Sequence, residues 1–190
     1  MTLPNRTLSG LADIGTLTQP TSGQIKVTDV KYDAKSGVTR IDFKFLRARV
    51  SITDATDSGS FGSYKFFDFG EQAISFLGSR QDYTSYVSDG TGVPNDTAFE
   101  IGIGTVAIAA AADGTLGNGT SENVGQAVSQ TLSTGTTTGS AVTNPSAVNG
   151  TGTACDLCLN VSGSAATVDG DGWLDVNGTF SVSFMFLGDD

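Results

Sequence analysis

Two short constellations in the chain hold side chains that could do chemistry. Asp169-Gly170-Asp171-Gly172-Trp173-Leu174-Asp175 sets three carboxylates around a glycine-rich turn, an oxygen-rich pattern of the kind that wraps calcium. It lacks the third oxygen position and the bidentate glutamate that complete such a loop, so a plain turn leading into a strand is expected. Cys155 and Cys158 form a lone C-x-x-C. Structural zinc takes four ligands, and neither a third Cys nor any His exists to supply the rest. A thioredoxin-like pair sits at a helix N-terminus, whereas this one lies between a Gly/Thr/Asn-rich stretch and an apparent strand. Inert small side chains are the expectation, with a local disulfide or a redox pair as the alternatives.

The lack of His throughout the 190 residues removes the imidazole general base, the Ser-His-Asp and Cys-His arrangements, and His metal ligands. No pair among the 20 acids is singled out for glycoside hydrolysis. No G-x-x-x-x-G-K-[ST] run occurs, and the glycines are not followed by helices, so nothing cradles a phosphate. The chain is expected to be no enzyme and to use no cofactor or metal.

Binding chemistry is better represented. Between Arg40 and Phe76 the basic residues Arg40, Lys44, Arg47, Arg49 and Lys65 interleave with Phe43, Phe45, Phe61, Tyr64, Phe66, Phe67, Phe69 and Phe76. Such a mixture could hold a single nucleic-acid strand by stacking and charge. The aromatics fall mostly on inferred buried faces, so core packing is expected of them. Arg is also enriched at protein interfaces, and the five basic residues are taken as a candidate interface with a protein partner. The charge is divided along the chain. All ten basic residues lie at or before Arg80 against eight acids, a net +2, while residues 81–190 hold twelve acids and no Lys or Arg, a net −12. The halves should attract each other, within one chain or between copies, or turn one side to a partner and one to water. An overall charge of −10 argues against direct nucleic-acid binding, which needs clustered cations.

The elements that position these residues read as strands. Leu174, Val176, Phe180, Val182, Phe184 and Phe186 take even positions, with polar residues between them, a sustained period of two with one apolar face. Leu157, Leu159 and Val161 precede it as another strand, and Asp169-Gly-Asp-Gly reads as a hairpin turn joining the two. Ile25 to Tyr32 and Val38 to Ile52 flank the turn cluster Asp33-Ala-Lys-Ser-Gly37. In the second of these, apolar residues hold odd positions to Phe45 and even ones from Leu46; a strand changes parity only at a bulge or on passing between sheets. Tyr64 to Phe69, Ala73 to Leu77 and Phe99 to Thr105 are shorter strands. In the last, Gly102 and Gly104 leave a bare face for a close neighbour.

Residues 24–190 are thus expected to form a single β domain, an antiparallel β-sandwich or jelly-roll-like barrel. Residues 113–153, rich in Gly, Thr, Ser and Asn, form a long polar excursion holding one weak strand. Residues 1–23 read as an extended N-terminal arm that would not stay ordered in isolation. The opening segment has no cationic n-region or apolar block of a secretory signal, and no stretch approaches a membrane helix.

The runs IKVTDVKYDAKSGVTRIDFKFLRARV, SGSFGSYKFFDF with AISFLGSRQDY, FEIGIGT, and the ending LNVSGSAATVDGDGWLDVNGTFSVSFMFLGD resemble capsid cement (head decoration) proteins of tailed bacteriophages. The resemblance spans most of residues 24–188 by texture and segment order, with no catalytic signature. It implies a β-rich, trimeric protein made in the host cytoplasm, which sits on the capsid exterior and clamps major capsid proteins together. The rival reading from the residues is a carbohydrate-binding sandwich or fibre tip, with Trp173 and exposed tyrosines such as Tyr83 and Tyr86 as the sugar platform. A single-strand-binding β-barrel is a third reading.

Overall fold

The computed structural model describes residues 14–55, 59–89, 91–94, 98–110, 116, 122–131, 140–142, 146–149, 155–163 and 168–187. The strands are β1 (Thr16–Leu17), β2 (Gln24–Asp33), β3 (Val38–Asp54), β4 (Ser60–Asp68), β5 (Ala73–Ser88), β6 (Ala98–Gly104), β7 (Gly125–Thr131), β8 (Ser140–Val142), β9 (Ser146–Asn149), β10 (Asp156–Gly163) and β11 (Gly172–Phe186). All pair antiparallel, in the order β7-β6-β10-β4-β3-β11-β5-β8, with β1 on β4, β2 on β3 and β9 on β5. The fold is all-β, a strongly curled half-barrel. Its ends approach where the Ser79 hydroxyl of β5 donates to the Val124 carbonyl just before β7.

Phenylalanine fills the inside of the curl. Phe43, Phe45, Phe66, Phe67, Phe69, Phe76, Phe180 and Phe184 are all buried, and their rings meet edge to face or stacked, Phe43 on Phe66 at 5.2 Å and Phe69 on Phe184 at 4.9 Å between centroids. Each buried ring contributes roughly 1.5–3 kcal/mol by leaving water. The basic-aromatic stretch therefore divides mostly as expected, six of its eight rings buried, Phe61 and Tyr64 half-buried, and its cations outward.

The parity change in β3 is a bulge. Phe45 stands opposite Gly178 and Ala48 opposite Val176, so Leu46 and Arg47 share the single residue Asn177. Arg47 takes a left-handed φ of 53°, and its N–H donates to the Asn177 side-chain oxygen at 2.9 Å. The extra residue turns Ala48, Val50 and Ile52 inward after Ile41, Phe43 and Phe45, and it keeps Arg47 and Arg49 on the outer face with Arg40 and Lys44. Farther on, Thr53 and Asp54 of β3 leave this set of strands and pair with β4.

The β2–β3 hairpin closes as its turn cluster predicts. Asp33 accepts from the Lys35 N–H and the Ser36 hydroxyl, and Gly37 takes a φ of 71°. The Ser36 hydroxyl is the main reason the Asp33 carboxyl is held below its ordinary value. The second expected hairpin does not form. β10 pairs with β4 and β6, and β11 with β3 and β5, so the Asp169–Gly172 turn carries the chain from one half of the curl to the other. Sequence proximity suggested a hairpin, but β3 and β5 compete for both edges of the long apolar β11. The two halves of the chain share one sheet, with β10 of the second half against β4 of the first and β11 of the second between β3 and β5.

Two further differences concern extent. β5 runs on to Ser88, because bulges at Leu77 and Thr84 and the buried polar residues Ser79 and Gln81 break its apolar alternation. The polar excursion contributes β7, β8 and β9 where one strand was expected; Leu132 and residues 133–139 lie outside the described residues. Of the N-terminal arm, residues 1–13 lie outside them too. The rest folds back into the split between β2 and β4: Ile14 is buried, β1 pairs with Phe67 and Asp68, Gln19 bonds both backbone groups of Ile25, and the Ser22 carbonyl accepts from the Arg49 N–H.

Candidate functional site

The outer surface of the curl has two unlike parts. Over β6 and β10 the chain covers itself. Buried Asn160 accepts from Ser63 and from the Ile108 N–H and donates to the Val106 carbonyl, Glu100 accepts from the Leu116 N–H, and a Cβ on Gly102 would stand 2.8 Å from Leu116. The bare face expected at Gly102 is thus filled from within the chain. Over β2, β3, β11 and β5 much of the outer face is open, with Lys26, Lys31, Arg40, Lys44, Thr179 and Arg80 exposed.

Four of the five candidate interface residues lie here. Arg40, Lys44, Arg47 and Arg49 form a line along the outside of β3. Arg40 pairs with Asp42 on its own strand at 2.8 Å, an exposed contact worth about 0–1 kcal/mol. Lys44 has no ion-pair partner among the described residues. Lys65 stands apart on β4, held by Asp156 at 2.8 Å and Asp68 at 3.0 Å; the Asp156 carboxylate is the main reason its ammonium is raised above the ordinary value.

Arg47 and Arg49 serve the fold as well as the surface. Asp175 of β11 is buried, and the Arg49 guanidinium grips both of its oxygens, Nε at 2.7 Å and Nη2 at 3.0 Å, while Arg47 reaches it at 3.3 Å. Arg49 also lies 3.6 Å over the centre of the Trp173 ring, a cation–π stack. Hydrogen bonding to Asp175 raises Arg49 above its ordinary value. The attraction expected between the +2 and −12 halves is realised here and at Lys65–Asp156, as specific pairs within one chain. Sequence reasoning missed Asp175 as their partner; its sign on an otherwise Ser/Thr/Asn polar face was the available signal.

The chemical constellations resolve plainly. In the acidic turn Asp171 accepts from the Asp54 N–H at 2.8 Å and Asp175 belongs to the two arginines, so the three carboxylates do not converge. Among the described residues no three His, Cys, Asp or Glu form a metal-ligand group. Cys155 and Cys158 are free and buried; burial pushes their thiols up to about 12 and about 11. Tyr83 and Tyr86, expected as exposed sugar platforms, are buried, because the bulges in β5 turn both rings into the core. No helix among the described residues is long and apolar enough to cross a membrane. No protein-family model matches the chain, and no curated protein matches it.

Proposed function

We propose that the protein is a non-enzymatic structural component of a tailed-phage virion, a cement protein that docks on the capsid exterior and stabilises contacts between major capsid proteins. The observation that carries the proposal is the open face of β2, β3, β11 and β5, where the longest strand presents Arg40, Lys44, Arg47 and Arg49 in one line. Trp173 is covered by Arg49 and the phenylalanines of these strands line the core, so the chemistry this face offers a partner is charge and hydrogen bonding, suited to a protein surface. A cement protein that binds the assembled shell and not its free subunits raises shell stability by mass action. The resemblance of the strand runs to decoration proteins supports the same reading. A sugar-binding role is less well supported, since Tyr83 and Tyr86 are inside and Trp173 already carries Arg49 on its ring.

Co-sedimentation with expanded, cement-free capsids tests the proposal. Binding to these, with none to proheads or polysaccharide, is expected. The double substitution Arg40→Glu/Lys44→Glu should lower capsid occupancy without lowering the melting temperature, because neither residue holds a buried charge. Wild-type protein that ignores expanded capsids, or glycan binding lost on Trp173→Ala, would overturn it.

A further inference from the structure

The charges on the open face are ordered in rows. Lys26, Lys44, Thr179 and Asp82 are in register across β2, β3, β11 and β5; so are Asp29, Asp42, Ser181 and Arg80, and then Lys31, Arg40, Ser183 and Gly78. Each row places like charges side by side on β2 and β3, a destabilising arrangement, and on β5 the first two rows carry the opposite sign. Between the two signs β11 offers only Thr179, Ser181 and Ser183, side chains short enough for longer neighbours to reach past.

A face with this pattern is complementary to itself. Rotation by half a turn about an axis along β11 brings the β3 column of one copy over the β5 column of the other, row on row. Lys44 then meets Asp82 of the second copy, and Asp42 meets Arg80 of the second copy. Both residues of the first contact have room for a partner in the single chain. Lys44 has no ion-pair partner among the described residues, and Asp82, whose side chain is 32% exposed, meets Arg80 only at 3.9 Å. We propose that two copies of this chain pair through the outer face of β3, β11 and β5 about a two-fold axis along β11, held by reciprocal Lys44–Asp82 and Asp42–Arg80 contacts.

The convex curl confines contact to these three columns, about 10 Å from first to last, so the buried area falls short of the roughly 800 Å² per partner of a stable complex. The association is therefore weak, charge-driven and salt-labile. It also hides the face proposed for capsid docking, so paired and docked protein are alternative states. The pairing itself does not depend on the capsid reading.

Sedimentation velocity on mixtures of charge-reversed chains tests the proposal. Wild type should self-associate at low salt and dissociate at about 0.5 M, where charges beyond a few ångströms are screened. Lys44→Asp and Asp82→Lys alone should each lose association about tenfold or more, because both reciprocal contacts become repulsive. Mixed in equal amounts, the two variants should form a heterodimer. The new carboxylate at position 44 of one then faces the new ammonium at position 82 of the other, and the native Asp82 and Lys44 face each other at the second contact. A mixture that stays monomeric while both variants keep the wild-type melting temperature would overturn the pairing, as would a trimer indifferent to these charges. Capsid co-sedimentation read separately distinguishes failure of the docking proposal, since no capsid is present here.

Discussion

At the scale of single residues, the asymmetry of the Arg49–Asp175 pair sets the order of its mutational costs. Asp175 is sealed in the sheet at 1% exposure, whereas the Arg49 side chain is 25% exposed. Removing Arg49 leaves a buried carboxylate with only the longer Arg47 contact; Arg49→Met should cost about 3 kcal/mol or more. Removing Asp175 leaves cations that reach water, and Asp175→Asn should cost clearly less. Urea titration of both variants reads the order, and equal costs would show that the burial difference is immaterial. The thiols give a pH prediction. Cys155 and Cys158 are raised from 9.0 to about 12 and about 11, and burial likewise raises Tyr83 and Tyr86 from 10.0. A raised value means that the fold favours the neutral form. The contribution is complete below about pH 9 and is lost as pH climbs through the folded values, because the unfolded chain releases its protons first. Melting temperature should fall progressively above about pH 9, and the folded thiols should react slowly with a disulfide reagent at about pH 8. Rapid native labelling would contradict the burial.

At the scale of elements, two devices shape the half-barrel. The β3 bulge requires a left-handed residue at Arg47, which a β-branched side chain resists. Arg47→Val should destabilise by about 1–2 kcal/mol beyond the loss caused by Arg47→Gly, which removes the same guanidinium but accepts the backbone. Thermal unfolding of the pair isolates the backbone term. The second device is the returning segment from Ile14 to Gly23, which fills the split where β2 and β4 diverge from β3. Gly23 takes a φ of 79°, and any Cβ there would collide with the Arg47 carbonyl, so the strap and the bulge are fitted to each other. Ile14→Ala should cost about 2–4 kcal/mol by chemical denaturation, a core-sized loss at a position that reads as arm. A negligible loss would mean that the strap only rests on the surface.

At the scale of the whole molecule, the sheet has one outer side covered by its own chain and one open side whose charges are ordered in rows. How far this was legible follows from particular residues. The even apolar positions of β11 gave its inward face outright, and the parity switch after Phe45 located the bulge to within two residues. β5 was legible only to Leu77, because Ser79 and Gln81 look like surface residues until Val124 and Tyr83 are seen to satisfy them. For the candidate site, the line of Arg40, Lys44, Arg47 and Arg49 was legible in the chain, whereas Lys65 was grouped with it by sequence proximity and lies on another part of the surface.

The all-β class and the inward sets of β3 and β11 could both be read from the chain, because they depend on side-chain type and on a period of two within one strand. Which strands are neighbours could not be read there, nor that β10 and β11 part company, that the strap closes the split, or that Asp175 claims two of the five cations. Those outcomes were fixed by folding in three dimensions. They depend on competition among distant segments for the same strand edges and for the same buried charge, and such competition has no local signature.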